Sequence, residues 1–82
     1  MKLEARNSSQ KSFYGKSTLV TENGVTFLKS YGTIVAIKMS ATIEVLGYFS
    51  KTTAIHINEF LMQNGIKKLV KKELEQKPTF NI

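Results

Sequence analysis

Sixteen consecutive residues, Ser50 to Gly65, contain a helix start, an amphipathic body and a helix stop. The hydroxyls of Ser50, Thr52 and Thr53 can accept hydrogen bonds from the orphan N–H groups of a first turn. Ile57, Phe60 and Leu61 then fall on one face at the spacing of a buried helix. Asn64-Gly65 supplies the left-handed residue that ends it. One helix of this length, placed after a β-rich half, leaves few architectures open.

The preceding half reads as strands. Phe13 to Thr21 is rich in aromatic and β-branched residues, and Asn23-Gly24 is the strongest short-range signal for a tight hairpin. Val25 to Tyr31 follows, then Gly32, Thr33 to Met39, a weaker turn at Ser40-Ala41, and Thr42 to Phe49. Beyond Gly65, the spacing of Ile66, Leu69, Val70 and Leu74 predicts a second amphipathic helix or a kinked continuation of the first, stopped by Pro78. The fold expected is α+β: a four-stranded antiparallel sheet in β-β-β-β-α order, one face covered by the C-terminal helix and its helical extension. Residues 1–11 are expected to be a mobile polar, basic tail, 12–77 a single domain, and 78–82 a C-terminal tail. Alternation sends Phe13, Leu19, Leu28, Val35, Ile37, Ile43, Val45 and Phe49 inward, against Ile57, Phe60 and Leu61.

Chemistry is scarce in this composition. Among 82 residues there is no cysteine, no aspartate and one histidine. A zinc site needs three or four ligands, and Glu44, His56 and Glu59 are the only mid-chain candidates; no glycine-flanked nucleophile turn accompanies the serines. The expectation is no enzyme, no metal and no cofactor. His56 either bonds locally near the helix start, partly exposed, or points a donor at an anion there. Met1 to Gln10 is polar and no stretch approaches the roughly 20 apolar residues of a membrane span, so a cytoplasmic protein away from membranes is expected.

The net charge is +6, and the excess sits in residues 1–17 and 65–82, with a neutral middle. Basic ends suit an acidic partner such as nucleic acid, or simply keep the chain soluble. The alternation that buries the phenylalanines sends Tyr14, Lys16, Lys29, Tyr31, Lys38 and Tyr48 to the other sheet face. Tyrosines there can stack on unpaired bases while lysines follow phosphates. A single bulge would flip part of this set. The lysine-rich segment 66–76 either completes the core, forms a homodimer seam or docks a partner.

Three segments carry a resemblance: Phe13-Tyr14-Gly15-Lys16, Leu28-Lys29-Ser30-Tyr31-Gly32-Thr33, and Ser50 to Gly65 with Thr-Thr-x-x-His-Ile-x-Glu-Phe-Leu-x-Gln-Asn-Gly. Over residues 12–65 the chain resembles a family of short, uncharacterised proteins carried by phages, plasmids and other mobile elements of low-GC Gram-positive bacteria. The β-β-β-β-α order is also similar to the single-stranded-DNA-binding fold of eukaryotic transcriptional coactivators and their bacterial relatives. The resemblance implies a mobile-element accessory protein. The function expected is non-enzymatic binding of single-stranded or distorted DNA through the Tyr/Lys face. The alternative is a protein-binding module, such as an inhibitor of a host defence nuclease.

Overall fold

The computed structural model describes residues 17–82. Strands β1 (Ser17–Glu22), β2 (Val25–Ser30), β3 (Thr33–Met39) and β4 (Thr42–Val45) precede helix α1 (Lys51–Gln63), a short helix α2 (Lys71–Glu75) and strand β5 (Thr79–Asn81). All pairings are antiparallel, in the order β1-β2-β3-β4-β5. The α+β class and the antiparallel sheet are as expected. The fifth strand is new: residues 79–81, read as a tail, pair with β4 through Ile43 and Phe80. Phe13, and the start of the first strand expected there, lie outside the described residues.

Local chemistry sets the turns and caps. Asn23 and Gly24 both have positive φ, 50° and 80°, as a primed two-residue hairpin turn requires. Tyr31 (53°) and Gly32 (82°) repeat the device between β2 and β3. At α1, the Ser50 hydroxyl accepts from the Thr53 N–H at 3.1 Å. At its other end the Gly65 N–H donates to Met62 O, and the Ile66 N–H donates to Leu61 O. Together these form a Schellman closure around Gly65 in its left-handed conformation.

The core lies between the sheet and α1. Leu28, Val35, Ala36, Ile43 and Val45 from the sheet pack with Ile57, Phe60 and Leu61 from α1 and with Leu69 and Leu74 beyond it. Leu19 packs half-buried against them. Two expected core residues are elsewhere. A bulge between Leu28 and Lys29 lets Val35 and Ala36 both turn inward, which reverses the phase of the rest of β3. Ile37 therefore pairs with Phe27 and Glu44 on the outer face. Phe49 is 46 % exposed, because β4 stops at Val45 and Gly47, at φ 142°, redirects the chain.

Of the helix expected over 66–76 only Lys71–Glu75 forms, and residues 66–70 adopt no regular secondary structure. The Asn58 carboxamide donates to Leu69 O (2.9 Å) and accepts from the Leu69 N–H (2.8 Å). Both polar groups of Leu69 are thus taken by a buried side chain, and helix begins only at Lys71. The Val70 N–H donates to Glu73 Oε1 at 3.0 Å, satisfying one orphan group at that start. Lys77, at φ 52°, and Pro78 then turn the chain into β5.

Candidate functional site

Of the six residues expected to share one open face, the four that are described do not form a single surface. Tyr14 and Lys16 lie outside the described residues. Lys29 is on the outer face of the sheet, beside Thr18 and Ile34. Lys38 pairs with Thr26 and with the fully buried Ile43, so it stands on the helix side, displaced there by the bulge. Tyr31 occupies a turn, 54 % exposed, with its ring 5.9 Å from that of His56. Tyr48 follows the end of β4 and packs half-buried against the helix-side core.

Two polar constellations remain on the helix side. The first is buried. Ser30 Oγ lies 2.9 Å from Thr53 Oγ1 and 2.7 Å from His56 Nδ1. His56 is fully buried, not partly exposed, and burial holds its pKa below the usual 6.5. A hydroxyl hydrogen-bonded to an imidazole resembles half of a nucleophilic site. Here Ser30 is 2 % exposed, which leaves no approach for a substrate. The cluster's evident work is to satisfy buried polar atoms while tying β2 to α1.

The second constellation is open. A groove of about 410 Å³ runs between α1 and the 66–71 segment, lined by Tyr48, Lys51, Asn58, Glu59, Lys68 and Lys71 with an apolar floor that includes Ile55 and Met62. That volume falls within the roughly 300–1,000 Å³ of ordinary ligand clefts. The Lys71 ammonium sits 5.0 Å from the centre of the Tyr48 ring, a cation–π distance that holds the charge at the groove. Lys51 opens α1, and no acidic residue occupies that first turn. The helix dipole disfavours a cation there and favours an anion. Glu59 is the one carboxylate in the lining, and it accepts from Gln63 Nε2 at 2.7 Å.

Charge separates the two halves of the described chain. Residues 17–50 hold two lysines and two glutamates, whereas residues 51–82 hold six lysines against three glutamates. Lys51, Lys68 and Lys71 were not singled out by alternation, which speaks only of strands. The signal that could have found them is the C-terminal charge excess, read together with the anion preference of the α1 start.

Among the described residues no helix is long and apolar enough to cross a membrane, and no group of three or more His, Asp or Glu side chains could hold a metal ion. No curated protein and no solved structure matches the chain. A family model does, over residues 1–76. The chain therefore belongs to a family of unknown function, DUF8033.

Proposed function

We propose that this is a non-enzymatic accessory protein of a mobile genetic element that binds nucleic acid, and that the strand lodges along the groove beside Tyr48 rather than across the sheet. The observation that carries this reading is the convergence of Lys51, Lys68 and Lys71 with one aromatic ring on a groove over an apolar floor. Phosphates would meet the ammonium groups and the start of α1, and a base would lie against the Tyr48 ring. The mobile-element setting rests on the resemblance over residues 12–65.

Fluorescence anisotropy with a labelled single-stranded oligonucleotide, repeated across salt concentrations, tests it. Each phosphate contact releases counterions, so Lys68→Ala and Lys71→Ala should each lower the salt slope by about 0.7. Tyr48→Ala should weaken binding by about 1–3 kcal/mol through lost stacking, with the slope nearly unchanged. Lys29→Ala, on the far side of the sheet, should change neither. Absence of binding at micromolar protein in low salt would overturn the reading.

A further inference from the structure

The Tyr48 ring is already covered where it meets the groove. Tyr48 and Lys71 both belong to the lining, and the Lys71 ammonium stands over the ring, 5.0 Å from its centre. Stacked aromatic rings hold their centres about 4.5–7 Å apart, so the ammonium occupies the space that a stacked base needs. The half-buried ring also packs against the core. A base entering the groove and Lys71 therefore compete for the same ring surface. Lys71 can yield: it is exposed, and its side chain is a flexible stem with a compact charge at the tip. The carboxylates around it are engaged elsewhere. Glu73, on the same helix, accepts from the Val70 N–H and pairs with Lys67 at 3.9 Å. Glu59, in the lining, is fully buried and accepts from Gln63. An ammonium that leaves the ring gains most from an anion that the ligand brings.

We propose that Lys71 is a latch on Tyr48 that makes base stacking conditional on a neighbouring phosphate. The inference rests on the nucleic-acid reading of the groove and narrows its ligand to a phosphate-bearing nucleotide. A phosphate in the groove draws the ammonium off the ring and exchanges the cation–π contact for a charge-assisted hydrogen bond. The uncovered ring then takes the base beside that phosphate. A nucleoside, which lacks the phosphate, has to uncover the ring without this exchange. Lys71 thus acts on binding with two opposite signs: its charge attracts the ligand and its position blocks the ring. Lys68, exposed in the same lining, supplies the comparison. Removing it takes away an equal charge and leaves the ring covered.

Fluorescence anisotropy with a labelled oligothymidylate compares Lys71→Ala with Lys68→Ala. Each removes one phosphate contact, so each should lower the salt slope by about 0.7. Only Lys71→Ala uncovers the ring. It should bind about two- to fivefold tighter than Lys68→Ala, the worth of a cation–π contact at an exposed site. In a Tyr48→Ala background that advantage should vanish, since the coupling runs through the ring. Proton spectra of the native chain give a second readout. The ring current of Tyr48 should displace the Lys71 ε-methylene signals upfield, and saturating oligothymidylate should return them toward their ordinary position. Equal or weaker binding by Lys71→Ala, in a chain whose native form binds, would overturn the latch and leave the nucleic-acid reading standing. So would an advantage that persists without Tyr48, or ε-methylene signals that stay displaced in the complex. No binding by the native chain at micromolar protein in low salt would overturn both.

Discussion

The two faces of one sheet behave differently in this chain. The inner face is covered by α1 together with Leu69 and Leu74: Leu28, Ile43 and Val45 are fully buried there, and polar Ser17 and Ser30 are buried with them. The outer face carries as many large apolar side chains, yet Val20, Phe27 and Ile37 are only half-buried and stand outside the core cluster. Hydrophobicity alone therefore does not tell core from surface in a small sheet. What separates them is phase, and one bulge sets it: Val35 and Ala36 turn inward together, the Leu46 N–H donates to Val35 O at 3.0 Å, and Ile37 and Lys38 exchange the faces that strict alternation would give them.

The contrast is sharpest between two isoleucines. Ile43→Ala removes a fully buried side chain from the core and should cost about 2–5 kcal/mol. Ile37→Ala acts on the half-buried outer face and should cost about 1 kcal/mol. Urea titration at low protein concentration checks both, and equal losses would show that the outer face is a second core.

His56 gives a smaller effect, and a clean one, because it is the chain's single histidine. Its pKa is lowered by burial. The unfolded chain therefore binds the proton first. Stability should be full above pH 6.5 and should fall as the pH drops from there toward the folded-state pKa. Denaturation midpoints measured between about pH 7.5 and 5.5, a range centred on the ordinary histidine pKa, should show this decline. In His56→Gln they should be flat. A flat profile in the native chain would mean that the ring is open to water.

Features written in neighbouring residues were legible in the sequence. Asn23-Gly24 specifies a hairpin turn, and Ser50 with Asn64-Gly65 brackets α1, because each device is satisfied within a few residues. Features that depend on distant partners were not. Ile66, Leu69, Val70 and Leu74 keep a helical spacing, but Asn58, eleven residues before Leu69, takes that residue's N–H and C=O. Three residues of β5 are too few to show a period, and they become a strand only by pairing with β4. The candidate site divides the same way. Tyr48 was singled out for the wrong face, and the lysines beside it come from segments whose convergence only the fold creates.

We propose nucleic acid on the basic helix side rather than on the outer sheet face. The most direct test is an amide chemical-shift titration of the ¹⁵N-labelled chain with a short single-stranded oligonucleotide. The predicted result is that the largest shifts map to Tyr48 through Ile55 and to Ile66 through Lys72, with Val20, Phe27 and Ile37 unmoved. Largest shifts at Phe27, Lys29 and Ile37, with the groove silent, would contradict it.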